Sequence, residues 1–414
     1  MPKRQELTTA GRDRIESVKR ALQKSGLAGV VCTRPNNVLM LSGYRPVIGM
    51  SAALANSDGG LILIVPEDEA MLANAGWAEE IRTYRPEILQ ELITPRDAIK
   101  LPLGKALHDL KLHCAEVGYE LEASAEPSYY AGTYSIAGSI INILHDVIPT
   151  APLRPADAML GRLRTIKTAY ELQCIRLACE VAGEAFERGR EKLAETQREI
   201  EIASQFRDGF GEPGLKREDV QSSDGFAWCM SGPHAAKASG AFASSSLRRV
   251  RARESVLVHA NSYVNGYWTD ITRTYVVGDV DGSLRQVYEA VFAARAAALA
   301  EIRPDARASD VDRAVRDVLE SRGFQGKMPH STGHGVGFSA MFGDAHPMLH
   351  PMSADVLEVG MTFNVEPAIY IENELGVRHC DMVAVTEHGM DLLTPFHATL
   401  NELLVNPVAS LKAG

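Results

Sequence analysis

The dipeptide Asn265-Gly266 constrains the folding of this chain more than any other feature of its sequence. Both residue types tolerate the positive φ angles that a type I′ turn needs at its two central positions, so the dipeptide predicts a tight β-hairpin. The turn also sets the register of the two strands. Counting outward from it, Asn261 faces Asp270 and His259 faces Thr272.

These four side chains are predicted to share one face of the hairpin, because side chains alternate between faces along a strand. His259 and Asp270 are then diagonal neighbours across the two strands, which is close enough for both to contact one bound group. The sequence therefore predicts a binding or catalytic site on this face.

The overall composition excludes several classes of protein. A content of 45% hydrophobic and 23% charged residues is typical of a soluble globular protein. The net charge of −10 argues against a nucleic-acid partner. The start of the chain lacks the apolar segment of a secretory signal, and the longest apolar runs, such as Leu61–Val65, are too short to cross a membrane. Because the six cysteines show no disulfide framework, we expect a reduced, cytoplasmic protein without a membrane partner.

The length of 414 residues predicts two domains, since a single core rarely serves so long a chain. In the first part, helices at Arg12–Ser25 and Ala70–Ile81 alternate with buried strands at Gly29–Thr33 and Leu61–Val65, which indicates an α/β domain. Three prolines between residues 149 and 155 then interrupt the chain. We therefore predict domains at residues 1–155 and 156–414.

The second domain is predicted to begin with a long helical region, Asp157–Phe206, and to become rich in glycine and histidine after residue 225. Period-two and helical patterns then predict further strands and helices. The predicted strands are Ser255–Ser262, Trp268–Val277, Met361–Glu366 and Val377–Val385, and the predicted helices are Ser283–Ile302 and Ala308–Gly323.

Three further segments carry polar residues suited to chemistry. His334 lies between glycines in STGHGVGF, so the backbone there can approach a neighbour closely. Glu366 precedes a proline in FNVEPAIY. The segment GVRHCDMVAVTE places Arg378 and Cys380 on one face of a predicted strand.

These segments, in this order, resemble the metallopeptidase family of methionine aminopeptidase, prolidase, aminopeptidase P and creatinase. The resemblance covers roughly residues 155–405 and includes LRTIKTAYEL and DITRTYVVG, and the first half is similar to the amino-terminal domain of the prolidase and creatinase branch. It implies an α/β fold: an amino-terminal creatinase-like α/β domain plus a carboxy-terminal pita-bread α/β catalytic domain. The site would then lie in the cleft of a curved sheet.

The resemblance also implies a metal site. Peptidases of this family bind metal through two Asp, one His and two Glu, with the two Asp eleven residues apart on a hairpin. The eleven-residue spacing is kept here, but His259 replaces the first Asp and Cys380 replaces the last Glu. The five positions fall on His259, Asp270, His334, Glu366 and Cys380.

The changes affect how many ions such a site can hold. Two neighbouring divalent ions need bridging carboxylates to offset their repulsion, and neither His259 nor Cys380 provides one. A thiolate also favours zinc or iron over harder ions. We expect Asp270, His334 and Glu366 to bind one divalent ion, zinc, iron or manganese, with His259 and Cys380 completing its shell. A metal-free site, as in creatinase, and a two-ion site are the alternatives.

Catalytic roles follow from the same resemblance. His334 and Glu366 would act at the reacting group, with Glu366 as ligand and proton acceptor. A catalytic histidine is expected in the segment SGPHAAKASGAFASS, where this chain offers His234, and another after STGHGVGF, where it offers His346. Arg378 would pair with a substrate carboxylate.

We therefore expect a hydrolase of the prolidase or Xaa-Pro aminopeptidase type that cleaves an amide C–N bond in a small peptide or peptide-like substrate. One alternative is a creatinase-like, metal-independent C–N hydrolase of a small metabolite. Another is a catalytically inactive binding homologue, although a dead site has no need of two buried carboxylates beside an imidazole. The resemblance also implies a homodimer.

Overall fold

The computed structural model describes residues 4–121, 140–211, 217–240, 244–340 and 346–405. The chain forms two compact units that divide between Tyr170 and Glu171, and the boundary proposed between residues 155 and 156 stays a prediction. Both units combine helices and strands. No helix within the described ranges has the length and apolar character needed to cross a membrane.

The amino-terminal unit is built on a six-stranded sheet in the order β4-β3-β2-β1-β5-β6. Its core lies between this sheet and the helices, and includes Val31, Leu54, Ile64, Leu103 and Ile143. The elements are α1 (Arg4–Ser25), β1 (Gly29–Cys32), α2 (Pro35–Ser42), β2 (Ala52–Asn56), β3 (Leu61–Pro66), α3 (Ala70–Ala73), β4 (Glu80–Tyr84), α4 (Pro95–Asp109), β5 (Val117–Tyr119), α5 (Ile140–Val147), β6 (Leu153–Pro155) and α6 (Asp157–Thr165).

The helix predicted at Ala70–Ile81 is wrong beyond its first turn. Helix α3 ends at Ala73, and the chain turns into strand β4 at Glu80. The turn brings Gly76 against the backbone of α2, where a Cβ atom would lie 2.4 Å from the carbonyl oxygen of Ser42. This close approach overrides the local helical pattern, which a sequence window alone cannot show.

The second unit contains a four-stranded sheet in the order β15-β9-β8-β7, a three-stranded sheet, β10-β13-β14, and the pair β11-β12. Its helices and strands are α7 (Ala169–Glu191, beginning at the division), α8 (Glu199–Gly211), β7 (Ser223–Ser231), a 3-10 helix (Gly232–Ser239), β8 (Ser255–Val264), β9 (Tyr267–Val277), α9 (Gly282–Glu301), α10 (Ala308–Ser321), β10 (Thr362–Val365), β11 (Ala368–Ile371), β12 (Leu375–Arg378), β13 (Asp381–Thr386), β14 (Gly389–Leu392), α11 (Leu400–Leu403) and β15 (Leu404–Val405).

The predicted hairpin is confirmed. The φ angles are +51° at Asn265 and +90° at Gly266, as a type I′ turn requires. Strands β8 and β9 pair with His259 opposite Thr272 and Asn261 opposite Asp270. The side chain of Asn265 accepts a hydrogen bond from the backbone N–H of Gln221 at 2.8 Å, which ties the turn to the segment before β7.

The single strand predicted at Val377–Val385 is wrong, because the structure divides it into β12 and β13. Between them, Cys380 leaves both strands and pairs with Thr272 of β9, with backbone hydrogen bonds of 3.0 and 3.3 Å. The interruption joins this segment to the hairpin. The face expected to combine Arg378 and Cys380 is therefore not one regular strand face.

Candidate active site

Strands β7, β8 and β9 form the floor of the candidate site. Trp228, His259 and Thr272 lie opposite one another in one cross-strand row. The Nδ1 atom of His259 lies 3.0 Å from the hydroxyl of Thr272, and its ring lies nearly parallel to that of Trp228. The prediction that the hairpin brings His259 and Asp270 together is confirmed, because Nδ1 of His259 lies 3.6 Å from Oδ1 of Asp270.

Asp270 is at the centre of the site and is buried. Its Oδ2 atom lies 3.5 Å from Nε2 of His334, and its Oδ1 atom lies 3.6 Å from Sγ of Cys380. The thiol of Cys380 donates to the backbone carbonyl of Asp270 at 3.2 Å. The hairpin, the glycine-rich segment and the residue between β12 and β13 thus meet at one carboxylate.

The glycine-rich segment positions His334. A Cβ atom on Gly333 would lie 1.9 Å from the carbonyl oxygen of Asn364, so the close approach of this segment to β10 requires glycine. The side chain of Asn364 accepts a hydrogen bond from the backbone N–H of His334 at 2.6 Å and lies 3.3 Å from its Nε2 atom. Asn364 is thus a positioning residue that motif reasoning missed, although it lies in the same FNVEP phrase as Glu366.

Glu366 and Arg378 complete the cluster. The backbone N–H of Glu366 donates to Thr332 at 2.8 Å, and its Oε2 atom lies 3.9 Å from Nε of Arg378. Arg378 is buried, and its Nε donates to the hydroxyl of Thr272 at 3.0 Å. Its Nη2 atom is also buried and has no hydrogen-bond partner within the described part of the chain. A guanidinium held in this way can bind an oxygen of a substrate.

Burial and charge separate the pKa values of the site residues. Burial raises the pKa of Glu366 to about 7, despite the opposing charge of Arg378. Burial alone would lower the pKa of His334, but its hydrogen bond to Asp270 and the charge of that carboxylate raise it to about 9. Burial lowers the pKa of His259 to about 3. One carboxyl is therefore suited to exchanging protons near neutral pH beside an imidazolium.

The two other histidines proposed for catalysis pair with separate carboxylates. Nδ1 of His234 lies 2.7 Å from the buried carboxylate of Glu199, and Nδ1 of His346 lies 2.8 Å from that of Asp355. The side chain of His346 is half exposed. Within the described ranges, neither imidazole pairs with a member of the cluster around Asp270, and their catalytic roles stay predictions.

Comparisons with known proteins assign this chain to a family. A sequence profile of "Metallopeptidase family M24" matches residues 173–387, which is more than half of the chain. The chain belongs to metallopeptidase family M24. A profile of the creatinase/prolidase amino-terminal domain matches residues 14–131. The expected α/β fold, a creatinase-like domain followed by an M24 catalytic domain, is confirmed.

Full-length relatives agree with this assignment to the prolidase branch of M24. A Xaa-Pro dipeptidase of Pyrococcus furiosus is 28% identical over 383 residues, covering 92% of this chain and 98% of the relative. The solved prolidase from the same organism is 25% identical, with a TM-score of 0.70 and coverage of 91% and 98%. A Xaa-Pro dipeptidase structure from Bacillus anthracis, 23% identical, shares the fold with a TM-score of 0.76 and coverage of 95% and 99%. The M24 chain is a hydrolase of the peptidase class.

M24 peptidases depend on divalent metal ions, which raises the question of which residues of this chain could hold one. Within the described ranges, no three His, Cys, Asp or Glu side chains converge closely enough to hold an ion. Asp270 and His334 are donors that suit one ion, with Glu366 beside them. His259 is instead bonded to Thr272, and burial raises the pKa of the Cys380 thiol well above its usual value. Asp270, His334 and Glu366 are therefore the residues that would hold an ion, through oxygen and nitrogen donors.

Proposed function

We propose that this M24 protein hydrolyses an amide C–N bond in a small peptide or peptide-like substrate, as a prolidase-type enzyme with an atypical centre that binds at most one metal ion. The observation that carries the proposal is the ion pair of the buried Asp270 with the largely buried His334, beside Glu366 and Arg378. This set combines a proton acceptor with two cationic hydrogen-bond donors. Amide hydrolysis needs both functions.

Glu366 is the group suited to activating water. Its pKa of about 7 allows the carboxylate to accept a proton and return it near neutral pH. In the proposed reaction, water loses one proton to Glu366 and its oxygen adds to the carbonyl carbon. The C–N bond then breaks, and the leaving nitrogen takes that proton from Glu366.

His334 and Arg378 would stabilise the negative charge that develops on the carbonyl oxygen. Asp270 keeps His334 protonated, and Thr272 fixes the guanidinium of Arg378 through its Nε atom. Arg378 also offers its unpaired Nη2 atom to a carboxylate of the substrate. With an ion bound, His334 would instead be a neutral ligand beside Asp270 and Glu366, and the ion would supply the polarisation of the carbonyl and the lowered pKa of water in place of the imidazolium.

A second candidate is metal-independent hydrolysis of a small metabolite, as expected for a creatinase-like enzyme. The observation that favours it is the presence of His259 and Cys380 at two of the five ligand positions, together with their bonds to Thr272 and Asp270. An inactive binding homologue is disfavoured, because the buried carboxylate of Asp270 and the largely buried one of Glu366 beside an imidazole are costly without a task.

Turnover and metal content together test these functions. Purified protein would be assayed against Gly-Pro, Ala-Pro and Gly-Val and against amidine metabolites, before and after dialysis with a chelator, with elemental analysis of the same samples. We expect dipeptide cleavage with no more than one ion per chain. Two ions per chain would contradict the atypical centre, and hydrolysis of amidines alone would favour the second candidate. Hydrolysis of neither class would contradict the proposed function.

We also propose a cytoplasmic homodimer. The family resemblance supports the dimer, and the six free cysteines, five of which are at least partly buried, support a reducing compartment. Analytical ultracentrifugation of the full chain would test the dimer, and a sedimentation coefficient of a monomer at micromolar concentration would contradict it.

A further inference from the structure

Helix α10 carries a buried carboxylate among the apolar residues of its inner face. Asp312 lies beside Val311 and Val315, and all three side chains are buried. A buried carboxylate is costly unless it is fully paired, so its partners show what holds it there. These partners are Arg316, one turn further along the helix, and the end of the segment Met328–Thr332, which leads into the glycine-rich segment.

We call Asp312 and Arg316 the helix clamp. Nε and Nη2 of Arg316 donate to the two carboxylate oxygens of Asp312 at 2.7 and 3.2 Å. Nη1 of Arg316 also donates to the carbonyl oxygen of Met328 at 3.1 Å, and Nη2 to that of His330 at 2.8 Å. Oδ1 of Asp312 accepts from the backbone N–H and the hydroxyl of Thr332 at 3.1 and 2.8 Å. Both side chains thus tie α10 to this segment.

The clamped Thr332 begins a short backbone ladder that carries two members of the candidate site. The carbonyl oxygen of Thr332 accepts from the N–H of Glu366 at 2.8 Å, and that of His334 accepts from the N–H of Asn364 at 3.0 Å. His334 and Glu366 therefore belong to the two opposite strands of one ladder. A displacement of Thr332 would change the position of one relative to the other.

A second contact keeps this segment in place when the clamp is removed. The N–H of Thr332 also donates to the carbonyl oxygen of Leu349 at 2.9 Å, and the N–H of Leu349 donates to that of Gly333 at 2.8 Å. These bonds need no side chain of α10. Loss of the clamp should therefore loosen the ladder locally while the unit stays folded.

We propose that the helix clamp positions the reacting groups of the proposed hydrolysis: Asp312 and Arg316, acting through Thr332, hold Glu366 in its working place beside His334. Both are positioning residues, since their bonds are to the segment Met328–Thr332 and not to the substrate. A displacement of reacting groups by a fraction of their contact distance is enough to lower a rate strongly. The inference rests on the proposed function, to which it adds two residues that govern the rate.

Steady-state kinetics on the best dipeptide test the clamp. Arg316→Gln should lower kcat about ten-fold or more and change KM less than about two-fold, because it disturbs the reacting groups and not the binding of substrate. Arg316→Lys keeps the cation beside Asp312 but cannot reach all the acceptors, so it should recover part of the loss and leave kcat within about three-fold of wild type. Both variants would first be checked for folding by circular dichroism.

Arg313→Gln is the matched control on the same helix. Arg313 pairs with Asp310 at 2.7 Å, and its side chain is exposed. This variant should leave kcat within about two-fold of wild type. If Arg316→Gln does not fold, Thr332→Val replaces it, since it removes only the hydroxyl bond to Asp312, and a fall in kcat of about three-fold is then expected.

Hydrogen exchange provides a measurement that needs no turnover. The N–H groups of Asn364 and Glu366 are donors in the ladder, so mass spectrometry of a peptide that covers residues 362–366 reports its opening. In the full chain, Arg316→Gln should raise the exchange rate of this peptide about ten-fold, with no change in a peptide from β8. Arg313→Gln should change neither.

Kinetics and exchange together decide the proposal. Unchanged kcat in a folded Arg316→Gln or Thr332→Val variant would overturn it, even with faster exchange, because the clamp would then be only structural. Equal losses of kcat in Arg316→Gln and Arg313→Gln, a change confined to KM, or unchanged exchange would also overturn it. Wild-type protein that cleaves neither dipeptides nor amidines would contradict the proposed function, and hydrogen exchange would then decide by itself whether the clamp holds the ladder.

Discussion

Two buried aspartates of the same unit, Asp381 and Asp270, differ in how completely their carboxylates are paired. Asp381 accepts hydrogen bonds from Arg273 at 2.7 Å, from Thr394 at 2.8 Å and from Arg295. Within the described ranges, the side-chain neighbours of Asp270 are imidazole and thiol groups at 3.5 and 3.6 Å. Both side chains are buried, so burial alone does not explain the difference.

The difference separates a structural ion network from a reactive one. A fully paired carboxylate holds elements together, since each of its oxygens already has its donors. Arg273 also donates to the carbonyl oxygens of Cys380 and Thr394, which joins β9 to the start of β13 and to the segment that follows β14. Asp270 retains capacity to accept a further donor, as a carboxylate that orients a catalytic imidazolium or binds an ion requires. Spare capacity at a buried charge is therefore what the proposed role of Asp270 requires.

The largest effect on stability is predicted at Asp381. Asp381→Ala would leave the buried Arg273 and the largely buried Arg295 without their anion, so the free energy of unfolding should fall by about 3–5 kcal/mol. The pKa of Asp381 lies well below its usual range, owing to Arg273, His379 and Arg295 acting against burial. Its stabilisation should accordingly be present above pH 4 or so and be lost as the pH falls. Urea unfolding at pH 7 and at lower pH measures both effects.

Asp270→Ala is the matched comparison in the same assay. Its loss of stability should be smaller than that of Asp381→Ala by about 2 kcal/mol or more, because its partners are neutral or less closely held. Equal losses for the two variants would show that Asp270 is as structural as Asp381.

The second prediction concerns catalysis at Asp270. Asp270→Asn keeps the shape of the side chain but removes the charge that keeps His334 protonated, so kcat/KM on the best dipeptide should fall about 100-fold, which corresponds to about 2.7 kcal/mol. The melting temperature should change little. Steady-state kinetics and a thermal melt of the same sample measure the two quantities.

Ser262→Ala is the control on the opposite face of the hairpin, where the hydroxyl bonds to that of Thr269 at 2.7 Å. It should cost about 1 kcal/mol of stability and leave kcat/KM within about two-fold. A similar loss of activity in both variants would mean that general loosening of the hairpin, and not the charge of Asp270, governs turnover.

The local part of this architecture could be predicted from the sequence. The Asn265-Gly266 turn predicted the register of β8 and β9, and that register predicted that His259 and Asp270 share one face. The turn type and the register both depend only on residues close together in the sequence. The meeting of Asp270 with His334, Glu366 and Cys380 was expected from the family resemblance, since no local pattern joins segments so far apart in the chain.

The rest depends on tertiary contacts. The break between β12 and β13 follows from the backbone pairing of Cys380 with Thr272, which no window around Cys380 contains. Phe226 and Trp228 alternate in GFAWC, a signal for one face of a strand, but their place beside His259 requires the pairing of β7 with β8. Placements of this kind depend on the register between strands that are distant in the sequence.

The third prediction concerns whether carboxylates added beside Asp270 would create a site for a second metal ion. His259→Asp with Cys380→Glu restores two carboxylates, which would offset the repulsion between two divalent ions. The double variant should bind a second manganese ion at least about ten-fold more tightly than wild type, and each single variant should gain less than half of that in free energy. Metal stoichiometry after dialysis against the same manganese buffer measures it.

Wild-type protein that already holds two ions would contradict the premise, because His259 and Cys380 would then be competent ligands. A double variant that melts like wild type but binds one ion or none would show that the cleft differs beyond these two positions. In that case Arg378, a buried cation 3.9 Å from Glu366, is the group to examine next.

The last prediction concerns the turn that sets the register of strands β8 and β9. Gly266 has a φ angle of +90°, which a β-branched residue adopts only with strain, so Gly266→Val should lower the free energy of unfolding by about 1–3 kcal/mol. Gly282→Val is the matched control, since a Cβ atom there meets no heavy atom within 4 Å. The side-chain partners of Asp270 lie at longer distances than those of Asp381. A small shift in register should therefore lower kcat/KM while the hydrogen bonds of Asp381 stay intact. Unchanged melting and activity in Gly266→Val, beside an unchanged control, would mean that pairing with β7 fixes the register without the turn.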